Sequence, residues 1–414
     1  MRIALLSNFW YRRGGLETVM TTDARLLEGR GHRVAGFAAA HPLNDPAEFS
    51  RFFPPLTEHG DVGRGFGAAD KLRSAGRLFS NRAAVRGFEA FAEAFEPDVV
   101  HQHGLSRQLS ASVLEAAKRR GLPTILSLHD YSLRCPAGTL SRTGAPECIE
   151  LSCAGHRYDR AVRFSCVHAS RSASGLAAVE LLVARALHRY ERSVDVFVVP
   201  SEYVGRRMRE TGVKSTKLRV LPNAVEPPTV DATAPGRRVV CVGRLVAAKG
   251  MDVVVDAARL RPDVSFVIAG DGPERAALES RASGLANLEF AGRLDGPDLQ
   301  RLYEDAACVL VPSTWPEPFG MVVLEAWQAS RPVVVTSRGA LPEIVRDDSD
   351  GLVVAPSDPA ALAAAIDRLV ADPKLAARMG DAGRRRVLDF YAIDAHLDRL
   401  EALYRDLIDS SGRA

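Results

Sequence analysis

The chain has 414 residues, 46% of them hydrophobic and 25% charged, with a formal net charge of only +3. That balance belongs to a soluble globular protein with room for two to three domains of ~150 residues each, and the charge is too small to argue for a nucleic-acid partner. No stretch approaches the ~20 apolar residues of a membrane-spanning helix and Met1–Ser7 lacks a cleavage-site pattern, so the expectation is a cytoplasmic protein without a signal peptide.

Short apolar runs rich in branched residues alternate with longer amphipathic stretches, the pattern of parallel α/β units. In chain order, strands are predicted at Ile3–Ser7, Arg33–Ala38, Asp98–His101, Thr124–Leu128 and Val196–Pro200. A second series follows at Arg238–Val242, Ser265–Ala269, Leu288–Ala291, Cys308–Val311, Pro332–Thr336 and Gly351–Val354. Several end in glycine, serine or histidine, which places functional loops at the carboxyl ends of the strands. Between the two series, Leu221–Gly236 carries prolines at 222, 227, 228 and 235 and reads as an extended linker. Residues 1–221 and 222–390 are therefore expected to form two doubly wound domains. Residues 391–414 form a terminal helix whose Leu397, Leu400, Leu403 and Leu407 recur at helical spacing. Gly60–Gly87, rich in Arg, Gly and Phe, reads as a loop with a solvated helix. Within it Lys71–Phe79 is basic and apolar, suited to a soluble surface helix or to a peripheral membrane contact.

Three motifs carry chemistry. Tyr11-Arg-Arg-Gly14-Gly15-Leu-Glu17 follows the first strand and opens a helix. Its glycines let the backbone approach a ligand, and the free N–H groups of the helix start favour an anion such as a diphosphate; an ordinary tight turn uses glycine as well. Val242-Gly243-Arg244 with Lys249-Gly250 repeats the arrangement at a strand end. There a planar guanidinium and a mobile ammonium suit a diphosphate, where the plain alternative is cationic capping. The third string, Pro312-Ser-Thr-Trp315-Pro-Glu317-Pro318-Phe319-Gly320-Met321-Val-Val-Leu-Glu325-Ala326, sets a loop against a helix start and brackets it with two carboxylates. Carboxylates of this kind accept hydrogen bonds from paired sugar hydroxyls, although glutamates in a first turn also simply suit the helix dipole.

Four cysteines, Cys135, Cys148, Cys153 and Cys166, cluster in an insertion at residues 131–170 just after His129-Asp130. In a reducing compartment such a group suits a structural tetrahedral zinc, with His156 and His168 as reserve ligands; unligated thiols and disulfides are the alternatives. Cys241 and Cys308 lie in apolar runs and read as buried small hydrophobes. The acidic run Asp347-Asp-Ser-Asp350 reads as a solvated turn, and His101 and His103 as structural or acceptor-side residues.

The second half resembles the nucleotide-sugar-binding domain of glycosyltransferase family 4, retaining enzymes of the GT-B fold. The resemblance rests on Gly243-Arg244 with Lys249-Gly250, Gly270-Asp-Gly272-Pro273, Glu317-Pro-Phe-Gly320 followed by Glu325, Gly339-Ala-Leu-Pro342-Glu343 and Gly351-Leu-Val-Val. The first half adds Gly14-Gly15-Leu-Glu17, Pro97-Asp-Val-Val-His101, His129-Asp130 and Pro200-Ser201, so nearly the whole chain is covered. The resemblance implies two Rossmann-like domains facing across a cleft, the first on the acceptor side, the second binding the nucleotide sugar, and the terminal helix crossing back to the first. It implies a UDP- or GDP-sugar donor, a glycan, lipid-linked or small-molecule acceptor, and no catalytic metal. By the same resemblance Arg244 and Lys249 bind the donor diphosphate, supported by Gly14, Gly15, Gly243, Gly270 and the backbone of Phe319, Gly320 and Met321. Glu325 holds the ribose hydroxyls and Glu317 the transferred sugar; Arg293 and Leu294 lie near the base, and His129 beside the anomeric centre. Ser330 and Ala340 stand where members of the family usually carry glycine.

A nicotinamide-dependent dehydrogenase would need G-x-G-x-x-G after the first strand and an acid about 20 residues on. Here Gly14-Gly15 stands alone and the second strand runs into Ala38-Ala-Ala-His41. A sugar phosphorylase or epimerase on the same fold is a closer alternative. The intact set Arg244, Lys249, Glu317 and Glu325 argues against a non-catalytic nucleotide-sugar sensor.

Overall fold

The computed structural model describes residues 1–56, 76–142, 148, 153, 157–227 and 236–412. The chain divides into two compact units: Met1–Pro200, Val204–Leu221 and Leu397–Ala414 form one, Ser201–Tyr203 and Pro222–His396 the other. Pro228 and Pro235 of the predicted linker, Lys71–Ala75 and His156 lie outside the described residues.

The first unit is built on six strands, β1 (Arg2–Leu6), β2 (Arg33–Phe37), β3 (Val99–His103), β4 (Thr124–Ser127), β5 (Val196–Val199) and β6 (Leu218–Val220), in the order β2-β1-β3-β4-β5-β6. Every neighbouring pair is parallel. Strands covered on both faces are near-continuous apolar runs, and Ile3, Val99, Val100 and Ile125 are fully buried accordingly. The helix Arg82–Phe95 turns Phe88, Phe91 and Phe95 toward Phe37 and Phe49, with ring centroids 5.4 Å apart for Phe37–Phe91 and for Phe49–Phe95. Each buried phenylalanine contributes about 1.5–3 kcal/mol. The edge strand β6 is not predicted from the sequence. Three residues with an exposed Arg219 at the centre carry too little apolar signal, and its place comes from pairing Leu218 with Phe197.

The terminal helix, Ile393–Ser410, buries Leu397, Leu400 and Tyr404 in the first unit. Leu403 and Leu407 of the expected stripe are only half-buried. The 3.6-residue period carries the buried face from Leu400 to Tyr404.

In the second unit β7 (Arg238–Val242), β8 (Ser265–Ala269), β9 (Leu288–Gly292), β10 (Ala306–Val311), β11 (Val333–Thr336) and β12 (Gly351–Val354) are ordered β12-β11-β10-β7-β8-β9, again all parallel. Helices Met251–Leu260 and Pro359–Ala371 cover one face with Val254, Val255, Leu362 and Ile366, packed on Phe266, Ile268 and Leu310. Cys241 and Cys308 sit in this core, and burial pushes both thiols up to about 12. The chain runs outward from β7 through β8 to β9, then returns to β7's other side as β10. The strand order therefore reverses between β7 and β10, and a doubly wound sheet offers its binding crevice at the carboxyl ends of such a pair.

One local reading is corrected. Asp350 is not solvated but fully buried: its carboxylate accepts from the Arg346 N–H at 2.7 Å and pairs with the Arg346 guanidinium at 2.9 Å. Ser330 takes the left-handed conformation, φ 57°, that glycine would adopt freely.

Candidate functional site

The loops after β7 and β10 meet because one residue between them is glycine. After β7 the turn Ala247–Lys249 ends at Gly250 with φ 69°, and a Cβ there would lie 2.1 Å from the Pro312 carbonyl oxygen. The β10 loop rests on that turn through Thr314 N–H, which donates to the Ala248 carbonyl at 3.0 Å. Lys249 is thereby brought to Glu317, Nζ to Oε1 at 2.5 Å, while Trp315 Nε1 donates to the other carboxylate oxygen. The ammonium also lies 5.4 Å from the centre of the Trp315 ring, an attractive cation–π placement. Glu317 is 6% exposed, and its backbone is fixed from a third segment. Its carbonyl accepts from Ala340 N–H at 2.8 Å, and a Cβ on Gly339 (φ 62°) would lie 2.2 Å from its nitrogen.

Gly320 then opens the helix Met321–Gln328, whose first turn has no side-chain cap. Its leading N–H groups and dipole favour an anion. Phe319 faces away, 4% exposed and edge-on to Tyr391 at 5.8 Å, so only its backbone is available to a ligand. On the helix, half-buried Glu325 accepts from the Tyr303 hydroxyl at 2.6 Å. Burial pushes the Glu325 carboxyl above its ordinary range, with the Tyr303 hydrogen bond pulling partly back. Burial first, and then the neighbouring Glu325, hold the Tyr303 phenol well above its ordinary value, so it stays a proton donor. The sequence did not single out Tyr303; an aromatic on the inner face of an amphipathic helix reads as core.

The remaining predicted residues of this unit divide. The Gly243 and Gly270 loops are joined, with Gly243 N–H donating to Ala269 and Leu245 N–H to Asp271, both at 3.0 Å. Arg244 is exposed, and among the described residues no carboxylate pairs with it. Arg293 follows Gly292, whose carbonyl accepts from Gly270 N–H, but its exposed guanidinium turns to Asp295 at 3.3 Å; Leu294 is half-buried. Neither joins the Lys249–Glu317 pair.

In the first unit Gly14 caps the helix Gly15–Gly29 in extended backbone, and a Cβ on Gly15 would meet open space. Burial raises the Glu17 carboxyl in the first turn, offset in part by its own backbone N–H, Arg13 and the backbone at Gly14. At the ends of β3 and β4, His103 Nδ1 and His129 Nε2 share a hydrogen bond at 3.2 Å, their rings stacked at 5.4 Å. His101 is held by two hydroxyls, Tyr404 and Ser127, each at 2.7 Å. Asp130 accepts from Ser132 N–H at 2.8 Å, and burial raises its carboxyl.

Among the described residues Cys135, Cys148, Cys153 and Cys166 form no disulfide, and no group of three or more His, Cys, Asp or Glu side chains is placed to hold a metal ion; residues 143–147, 149–152 and 154–156 of the insertion lie outside the described set. Burial and then the neighbouring thiols push Cys153 up to about 12, and its Sγ faces the Arg157 carbonyl at 3.8 Å. His168 is exposed.

The family model described as Glycosyltransferase Family 4 matches residues 13–227, and that of Glycosyl transferases group 1 matches residues 232–386. The chain belongs to glycosyltransferase family 4. Among its relatives, a D-inositol 3-phosphate glycosyltransferase of Acidothermus cellulolyticus is 28% identical over 95% of this chain and 86% of its own. A GDP-mannose-dependent alpha-(1-6)-phosphatidylinositol monomannoside mannosyltransferase of Mycolicibacterium smegmatis is 34% identical over 50% of this chain and 62% of its own. At 31–34% identity the chain spans between 45% and 64% of the length of the curated relatives it matches. Anabaena HepE, solved in complex with UDP and glucose, shares the fold with a TM-score of 0.70 at 17% identity, over 98% of this chain and 99% of its own. Among the described residues of this glycosyltransferase no helix is long and apolar enough to cross a membrane.

Proposed function

We propose that this glycosyltransferase moves a hexosyl group, with retention, from a UDP- or GDP-sugar to a hydroxyl of a glycan, lipid-linked or small-molecule acceptor, without a catalytic metal. The observation that carries the reading is the meeting of Lys249, Glu317 and an uncapped helix start at the reversal between β7 and β10. Lys249, the exposed Arg244 and the leading N–H groups of Met321–Gln328 take the diphosphate. Glu325 takes the ribose hydroxyls, Glu317 takes the sugar hydroxyls, and Gly243, Gly270 and Gly320 let backbone approach. Arg293 and Leu294 are assigned to the base, Gly14 and Gly15 to backbone approach, and His129 to the transferred sugar. The HepE complex with UDP and the GDP-mannose dependence of the mannosyltransferase support these two nucleotides.

In the reaction the bond from the anomeric carbon to the diphosphate oxygen breaks, and a bond to the acceptor oxygen forms on the same face. The acceptor's proton leaves on the departing diphosphate. Negative charge grows on that diphosphate, and cations and N–H groups already aimed at it stabilise the transition state; removing one such donor typically costs ~2.7–4 kcal/mol. Release of UDP or GDP from a panel of hexose donors tests the proposal, with chelator present and Lys249→Met as control. Donor-specific release lost in the variant supports it; release dependent on an added divalent cation, or unchanged by Lys249→Met, overturns the corresponding part.

A further inference from the structure

Both carboxylate oxygens of Glu317 are occupied, Oε1 by Lys249 and Oε2 by the indole N–H of Trp315. At 6% exposure this carboxylate has little water to replace a lost partner. A diphosphate carries more negative charge than one carboxylate and competes for the Lys249 ammonium. Once Lys249 turns to it, Oε1 is open, and a buried charge without donors is strongly disfavoured. Trp315 does not depend on that exchange. It sits on the loop that Thr314 stitches to the Ala248 carbonyl, and its ring face lies against the ammonium's resting position.

We propose that Trp315 is a positioning residue: its indole N–H keeps one oxygen of Glu317 fixed while Lys249 exchanges the other between the carboxylate and the donor's diphosphate. Sugar hydroxyls then replace the ammonium at Oε1. The inference rests on the donor-site reading above and adds a consequence to it. A nucleotide that carries its sugar satisfies Glu317; a spent nucleoside diphosphate leaves Glu317 competing for Lys249. The Trp315 N–H therefore acts on the sugar-dependent part of binding.

Trp315→Phe keeps an aromatic face and removes the N–H; Trp315→His keeps a ring N–H. Isothermal titration of UDP against UDP-glucose, and of GDP against GDP-mannose, is run on wild type, both variants, Glu317→Gln and the Trp315→Phe/Glu317→Gln double variant. For the pair that wild type binds, Trp315→Phe is expected to weaken the sugar nucleotide about tenfold, equivalent to ~1.4 kcal/mol. The matching nucleoside diphosphate should stay within about twofold, Trp315→His should recover part of the loss, and Trp315→Phe should add nothing to Glu317→Gln. Without ligand, the Trp315 indole peak, one of three tryptophan peaks in a 15N correlation spectrum, should move in Glu317→Gln. Equal weakening of both nucleotides, additive losses in the double variant, or an unmoved indole peak overturns the positioning role. Two outcomes fall on the parent reading instead: wild type binding neither pair, or Glu317→Gln leaving sugar-nucleotide affinity intact.

Discussion

Gly339→Ala should damage the site through backbone alone. The new Cβ would sit 2.2 Å from both the nitrogen and the carbonyl oxygen of Glu317 and 2.6 Å from the Pro316 carbonyl carbon, all unyielding main-chain atoms. Relieving it requires the Pro316–Glu317 backbone to move by roughly 1 Å, and overpacking of this kind costs about 1–3 kcal/mol. The φ of 62° adds about 1–2 kcal/mol for a residue with a Cβ. The sum, about 2–5 kcal/mol, corresponds to a fall in Tm on the order of 10 °C for a unit of this size. A 1 Å misplacement of a positioned group costs on the order of 100-fold in rate, and Glu317 is the group displaced. Gly284→Ala is the matched control, since its φ of 83° is comparable and nothing lies within 4 Å of its Cβ; it should lose only the backbone term and keep its rate. Calorimetry gives the two Tm values and nucleotide release gives the two rates. Were Gly339→Ala to melt and turn over like Gly284→Ala, the packing argument for Glu317 would be refuted.

Tyr303→Phe removes the hydrogen bond to Glu325; bonds to charged groups contribute ~1.5–3 kcal/mol, so nucleotide affinity measured by titration should fall at least tenfold. Because burial raises the Glu325 carboxyl above its ordinary 4.5, folding favours its protonated form. That stability is complete below the ordinary value and lost as pH rises through the raised one. The Tm of Glu325→Gln should therefore gain on wild type with rising pH, while wild-type nucleotide affinity falls on acidification through the same raised value; a pH-independent Tm difference would refute the assignment. Leu400→Ala, at a position 1% exposed, should cost ~2–5 kcal/mol by denaturant titration, whereas the half-buried Leu403 should cost less.

The bounds of β7, β8 and β12 are readable from the sequence because each is an apolar run of three or four residues opened by Arg238, Ser265 or Gly351. β6 is not, since partner strand and edge position decide it. Lys249, Glu317 and Glu325 stand out as a string with spacing, but what holds them does not. The Trp315–Glu317 bond depends on a loop conformation set by Gly250 and Gly339. Tyr303 reaches Glu325 from a helix 22 residues earlier, a neighbour that only the strand order supplies. The clustered cysteines are close enough to act on one another, with burial first and then Cys135, Cys148 and Cys166 all raising the Cys153 thiol, a proximity that their sequence spacing suggested. Asp350 misled the sequence reading: an acidic run reads as solvated, yet its last carboxylate closes a turn on Arg346.

The central claim, that the second unit binds a nucleotide sugar through Glu325 and its neighbours, is tested most directly by thermal melting with uridine, guanosine and adenosine diphosphate sugars, on wild type and Glu325→Ala. A ligand at about 100 times its Kd adds ~2.7 kcal/mol to stability. The account predicts that a UDP- or GDP-sugar raises the wild-type Tm and that Glu325→Ala loses the shift. Stabilisation by a nicotinamide dinucleotide or a free sugar phosphate instead, with none from any nucleotide sugar, would contradict it.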